Sequence, residues 1–323
     1  MRELIDEVFL RRFGTRGGTE DQARLALAEV TARGDRLAFS TDSYVVDPLF
    51  FPGGDIGRLA VNGTVNDLAM GGAMPLVLSC AVIIEEGLPI ETLHRVAESM
   101  QRAASEAGVA IVTGDTKVVN RGAADKLFVT TAGIGVIARE TNIGAARAQA
   151  GDAILVNGFI GDHGATILNA RGGLDLDAPL RSDTQPLHSL VQAMLAACPD
   201  IHCLRDATRG GLATLLNEFA QASGVDMSIE EALLPVRDEV RGVCAILGLD
   251  PMYFANEGKL VAVVPGPHAQ ATLAAMKAHP AGADAAIIGR VGSGSGALVT
   301  MQTRFGGLRI IDTLVGEQLP RIC

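Results

Sequence analysis

Ala148-Gln149-Ala150-Gly151-Asp152 splits the chain into two series of apolar segments. A small-residue, Gly-containing break between long apolar runs marks a domain boundary. Toward the N-terminus, hydrophobic periodicity predicts strands over 127–137 and 109–113, an amphipathic helix over 90–107 and a strand over 77–84. A helix over 56–70 and a short strand over 37–40, ending at Thr41-Asp42, precede them. A helical stripe of Leu4, Ile5, Val8 and Phe9 opens the chain and is cut off by the polar Gly14-Thr15-Arg16-Gly17-Gly18. Toward the C-terminus, the pattern predicts a strand over 153–157, helices over 187–197 and 212–223, and a strand over 260–264. A helix over 269–277 and strands over 287–291, 298–301 and 308–311 follow. The mixture points to an α+β fold rather than one doubly wound sheet, with domains over 1–148 and 149–311. A mobile tail over 312–323 is expected to follow, because an undocked chain end is seldom ordered.

Composition narrows the function. The 323 residues suffice for about two domains, and 48% are hydrophobic, supplied largely by Ala, Leu and Val, as suits buried α/β cores. Aromatic residues are only 4% and Trp is absent, which disfavours a base-stacking platform. The net charge is −10 with no basic block, so no nucleic-acid partner is expected. No apolar run reaches membrane length, so no membrane association is expected. Met1 leads straight into Arg2-Glu3-Leu4-Ile5-Asp6-Glu7, which is not a secretory signal. The five cysteines are odd in number and show no zinc-type spacing, so a reducing cytoplasm is the expected compartment. Cys80 and Cys244 lie in apolar stretches and read as core residues.

The last residue is itself a cysteine, Cys323, after Pro320-Arg321-Ile322. It is not a prenylation box, which needs three residues beyond its cysteine. A thiolate on a terminal arm is a nucleophile that can be carried into and out of a pocket. Three acidic turns are expected in the first half: Thr41-Asp42-Ser43, Gly63-Thr64-Val65-Asn66-Asp67 and Gly114-Asp115-Thr116-Lys117. Carboxylates converging from several element ends make a hard-oxygen site suited to Mg²⁺, which commonly arrives with nucleotide phosphates. Lys117 could then neutralise phosphate charge. Asp, Asn and Gly also favour turns for their own sake, so both readings stand at this point. The second half adds Gly161-Asp162-His163-Gly164, Arg205-Asp206-Ala207-Thr208-Arg209-Gly210-Gly211 and Asn256-Glu257-Gly258-Lys259. Asp206 or Thr208 is a candidate cap for the helix that follows, giving an N-terminus able to face an anion. Glu257 is a candidate base, and His163 is either catalytic or a packing residue. Neither a P-loop nor a Rossmann fingerprint is present.

Taken together, these motifs resemble the HypE family of hydrogenase-maturation carbamoyl dehydratases, in the superfamily of aminoimidazole ribonucleotide synthetase and selenophosphate synthetase. The resemblance runs from Leu4 to Cys323. It is carried by Phe39-Ser40-Thr41-Asp42-Ser43-Tyr44-Val45-Val46, Asp47-Pro48-Leu49-Phe50-Phe51-Pro52-Gly53-Gly54 and Val112-Thr113-Gly114-Asp115-Thr116-Lys117-Val118-Val119. Arg205 to Gly211, Asn256-Glu257-Gly258-Lys259 and the terminal Pro-Arg-Ile-Cys complete it. It implies a first domain that binds ATP and pairs its sheet with a second copy's in a homodimer. It implies Mg²⁺ and ATP held by Asp42, Asp67 and Asp115, with Asn66 and Thr116 in the nucleotide site. Lys117 and Glu257 stand, by the same resemblance, near a Cys323 that carries the carbamoyl group. The implied reaction is ATP-dependent dehydration of that group to a thiocyanate. The implied partners are a HypF-type carbamoyltransferase and a HypC–HypD-type iron complex that takes the cyanide. Family members carry a His- and Gly-rich segment, associated with the nucleotide pocket, before the helix that here begins at Arg2; this sequence lacks it, and weakened ATP affinity is the expectation. Two other readings remain: another ATP-using member of the superfamily, such as a selenophosphate synthetase or thiamine-phosphate kinase, or a non-catalytic docking protein with a metal-binding terminal cysteine.

Overall fold

The computed structural model describes residues 5–13, 22–172, 179–313 and 322–323. The expected mobility of the tail therefore falls largely outside the described residues, as does the Gly-rich break at 14–18. The opening apolar stripe forms a π-helical turn, Ile5–Leu10, continued by Arg11–Phe13.

The first half is built on four strands: β1 (Arg36–Tyr44), β2 (Met74–Glu85), β3 (Ala110–Val119) and β4 (Leu127–Ile137). Their order in the sheet is β1-β4-β2-β3; β2 and β3 are parallel and the other pairs antiparallel. Helices α1 (Ile56–Met70) and α2 (Ile90–Glu106) connect them. Asp55 caps α1, accepting the amides of Gly57 at 2.8 Å and Arg58 at 3.1 Å, while Ser99 of α2 donates to its other oxygen at 2.5 Å. α1 is buried on nearly every face, including at the polar Asn62, Thr64 and Asn66, as expected of a helix covered all round. The sheet and α2 cover one side of it, and elements of the second half cover the other.

The second half comprises β5 (Ala153–Val156), α3 (Asp162–Ala170), α4 (His188–Ala197), β6 (Cys203–Asp206), α5 (Gly211–Ser223), β7 (Met227–Glu230) and α6 (Asp238–Leu247). β8 (Leu260–Val264), α7 (Ala269–Lys277), β9 (Ala286–Val291), β10 (Val299–Gln302) and β11 (Leu308–Ile310) complete it. Its seven strands run β11-β10-β7-β9-β5-β8-β6. β5 and β8 are buried at every residue, which explains why both read as unbroken apolar runs.

Several expectations need correcting. Thr41-Asp42-Ser43 and Gly114-Asp115-Thr116-Lys117 are not turns but parts of β1 and β3. Both strands lie at sheet edges, where polar side chains are tolerated and block further pairing. Asn66 and Asp67 lie inside α1, one turn from its end. Gly161-Asp162-His163-Gly164 is the first turn of α3. The helix α6 and the short strands β6 and β7 were not expected. Strands of four residues offer too little alternation to be legible.

Candidate active site

Glu257 lies in the loop that enters β8. Gly258 is required beside it, because a Cβ there would stand 2.0 Å from the Asp183 carbonyl oxygen. Asn256 fixes the loop from the other side, accepting the Gly161 amide at 2.7 Å and donating to the Ala207 carbonyl at 2.8 Å. Asp183 accepts the Glu257 amide at 3.0 Å and pairs with Lys259 Nζ at 3.1 Å. The loop thus carries Glu257 inside, 4% exposed, with Oε1 lacking a hydrogen-bond partner. Burial, reinforced by Asp183, Asp206 and Asp42, pushes its carboxyl well above the usual range, against an opposing hydrogen bond with Cys323. Asp183 goes the other way. Burial alone would raise it, but Lys259 and the Glu257 amide hold it below its ordinary value. Two neighbouring acids are thereby driven apart, Glu257 keeping a proton that Asp183 has lost.

Cys323 docks against Glu257. Burial, then Glu257 and Asp42, push its thiol up, with Arg209 opposing. A thiol so placed stays protonated. Its neighbour Ile322 is buried in the core of the first half, alongside Tyr44, Val46, Phe51 and Ile167. The terminal dipeptide is therefore seated between the two halves.

Asp67 of α1 accepts a hydrogen bond from Ser40 Oγ at 2.6 Å. Its carboxyl is raised by burial and by Asp42, with Ser40 and Arg205 opposing. Asp206, at the end of β6, is pushed up to about 7 by burial and then by Asp67 and Asp42. Asp42, Asp67, Asp206 and Glu257 therefore share one electrostatic field, in which each negative charge disfavours the next. The expectation that Asp206 or Thr208 caps the following helix fails. The capping residue is Gly210, in a left-handed conformation with φ 75°, and no side chain caps α5. Asp206 is spent on the carboxylate cluster instead. Sequence reasoning missed that role because β6 was invisible, although an Asp closing a strand was already the signal at Asp42.

The other expected site residues are placed differently. Asp42 pairs with Thr131, whose hydroxyl bonds to α1, so Asp42 is on the helix-covered face of the first sheet. Asp115 pairs through Ala81 with Thr130, whose hydroxyl meets Ser43 on the opposite face. β1 and β3 are also opposite edges, three strand spacings or roughly 14 Å apart. Within one chain, Asp115 and Lys117 do not join Asp42 and Asp67. They pair with each other at 2.7 Å, well exposed. Thr116 donates its amide to Asp115 at 2.8 Å. Asn66 is committed to scaffolding: its side chain accepts the Leu187 amide at 2.8 Å and donates to the Gln185 carbonyl at 3.1 Å. Among the described residues, no three His, Cys, Asp or Glu side chains form a ready metal cage.

Family models match two stretches: AIR synthase related protein, N-terminal domain, over residues 20–137, and its C-terminal domain over residues 149–301. The carbamoyl dehydratase HypE of Rhodobacter capsulatus is 57% identical over 323 residues, covering 100% of this chain and 95% of that protein. The chain belongs to the HypE family. The solved structures of the HypE family agree. The crystal structure of Escherichia coli HypE is 54% identical and matches with a TM-score of 0.96 over 100% of both chains. A HypE structure in complex with ATP is 51% identical and matches at 0.94, over 100% of this chain and 96% of that one. A structure of a HypE–HypF complex is 46% identical and matches at 0.84, over 96% and 99% respectively. The α+β, two-domain expectation holds.

Proposed function

We propose that the chain uses ATP to dehydrate an S-carbamoyl group on Cys323 to a thiocyanate, in hydrogenase maturation. The observation that carries this reading is the seating of Cys323 against the buried Glu257, whose Oε1 has no hydrogen-bond partner, beside a cluster of carboxylates. The carbamoyl oxygen attacks the γ-phosphorus of ATP and ADP leaves. Two protons then leave the carbamoyl nitrogen, one to Glu257 and one to the departing phosphate, the C–O bond breaks, and phosphate carries the oxygen away. Cys323 is left as S–C≡N. Glu257 is the base. Its orphaned Oε1 is free to receive a proton once positive charge near the loaded tail favours ionisation. Arg209, near enough to lower the Cys323 thiol, is one such charge.

The clustered carboxylates fit Mg²⁺. Burial first, and Asp67 and Asp42 after it, raise Asp206 to about 7, which a cation among these carboxylates would relieve; Mg²⁺ commonly takes one or two carboxylates with phosphate oxygens and water completing its shell. One or two of Asp42, Asp67 and Asp206 would hold it, and it would supply charge neutralisation at the phosphates.

The docked thiol is inert, so loading requires the tail to leave the cleft. A HypF-type carbamoyltransferase is the loading partner, and a HypC–HypD-type iron complex the acceptor of cyanide. Two copies pair through the outer face of the first sheet, where Phe39 is 71% and Ile83 40% exposed. That pairing lets a second copy supply the Asp115 and Lys117 that one chain holds apart from Asp42. The separation of the two sheets supports the proposed domain limits 1–148 and 149–311. Among the described residues no helix is long and apolar enough to cross a membrane, and the cytoplasm is the proposed compartment.

The test follows the mass of the Cys323 peptide. Incubation with carbamoyl phosphate, ATP and a HypF-type enzyme should add a carbamoyl group. With ATP already present, the same peptide should then lose one water as the incubation continues. A carbamoyl peptide that ATP leaves unchanged overturns the reading.

A further inference from the structure

His163 takes no part in the chemistry above, yet it is fully buried and bonded at both ring nitrogens. Nε2 stands 2.8 Å from the Ile322 carbonyl oxygen, and Nδ1 stands 2.8 Å from Ser182 Oγ. A carbonyl can only accept, so Nε2 carries the hydrogen and Nδ1 accepts from the Ser182 hydroxyl. The two bonds fix both tautomer and ring orientation. The ring is also held edge-on by Phe51, with centroids 5.6 Å apart and planes at 80°. Ser182 is itself pinned to the first half, donating its amide to the Pro52 carbonyl at 2.9 Å. Phe51 and Pro52 belong to a conspicuous motif that the proposed chemistry leaves unused. The assembly spans both halves: Phe51 and Pro52 from one, His163 and Ser182 from the other, and the chain end between them.

We infer that His163, oriented by Ser182 and Phe51, is a positioning residue that latches the penultimate carbonyl of the chain and so holds Cys323 against Glu257. Recognition is divided. The Ile322 side chain enters the apolar core, 7% exposed, and its carbonyl is read by the imidazole. The hydrogen bond fixes the direction of the last residue, which burial of an aliphatic side chain alone does not. Releasing this one bond and the Ile322 side chain frees the thiol for loading. The latch rests on the proposed function for its purpose but not for its test.

The test is the rate at which iodoacetamide alkylates Cys323 in the unloaded, full-length protein. Cys80, Cys198, Cys203 and Cys244 are all buried, so the reagent reports on the tail. His163→Leu removes the donor while keeping an apolar side chain, and alkylation should be at least tenfold faster. His163→Gln, which can still donate to the carbonyl, should stay within about threefold of wild type. Ser182→Ala, which frees the ring to turn, should fall between them. Ile322→Ala perturbs only the chain end and should also speed alkylation. Equal rates for wild type and His163→Leu, with unchanged melting, overturn the latch. Faster alkylation in Ile322→Ala alone overturns it too, since side-chain burial would then account for docking. If His163→Leu does not fold, Ser182→Ala decides: a wild-type rate there is equally fatal. No ATP or carbamoyl donor enters this assay. Failure of dehydration in wild type would sink the proposed function and leave the latch standing.

Discussion

Two acidic regions of this chain have similar residues and opposite physics. Asp115 sits on an exposed sheet edge, where a hydrogen bond from Lys117 and the Thr116 amide hold its carboxyl below the usual range. Asp206 and Glu257 sit inside, where burial first and neighbouring acids second raise theirs. A carboxylate beside a lysine in water is already satisfied. A carboxyl buried among carboxylates is stressed, and stress of this kind is relieved by a proton or a cation. The comparison is why we place the chemistry in the interior set rather than in the set most conspicuous as a motif.

The largest expected effect sharpens the interior side. Glu257→Gln keeps shape and removes the base, so single-turnover dehydration of carbamoylated Cys323 should slow by ~10²–10⁴-fold. Calorimetric titration should find ATP affinity within about twofold of wild type. Dehydration at the wild-type rate would remove Glu257 from the base role.

Next is Asp206. Its folded pKa, about 7, is above its ordinary 3.8. Its contribution to stability is therefore full below about pH 4 and is lost as pH rises through 7. At pH 5 the native carboxyl is still neutral but the unfolded one is already ionised, so Asp206→Asn should melt only slightly above wild type, by less than half the difference at pH 8. At pH 8 the native group is a buried anion facing Asp67, and the variant should melt about 5 °C higher or more. The same variant should bind Mg²⁺–ATP more weakly. Thermal melts at both pH values check the first claim, and equal differences at pH 5 and pH 8 would break it.

Asp115 should give the smallest effect and the most direct test of the contrast. Asp115→Asn should leave melting unchanged and weaken Mg²⁺–ATP binding only a few-fold. In a Phe39→Asp background, where light scattering should show a monomer, Asp115→Asn should change nothing further. An identical loss of affinity in that monomer would mean that Asp115 acts within its own chain.

Much of this was legible beforehand. The helix over 56–70, the strand over 127–137 and the all-apolar strand over 260–264 were read from periodicity and match α1, β4 and β8. Glu257 was legible as a candidate because Asn and Gly flank it, but not its burial. Asn256 and Gly258 are what fold that loop inward, and their partners lie 49 to 101 residues away. Asp206 was mistaken for a cap because local pattern favours capping wherever an Asp precedes a helix. His163 was left open between catalysis and packing, since a histidine between glycines says nothing of a carbonyl 159 residues downstream.

The sequence by itself determined the two-domain α+β plan, the family and the terminal thiol, because apolar periodicity and motif spacing are local properties of the chain. Tertiary structure alone decided which acids are stressed, which are merely paired, and what grips the chain end. Those depend on burial and on charges brought together from distant elements, and the free energy of an ionised group is set by its surroundings in space rather than by its neighbours in sequence.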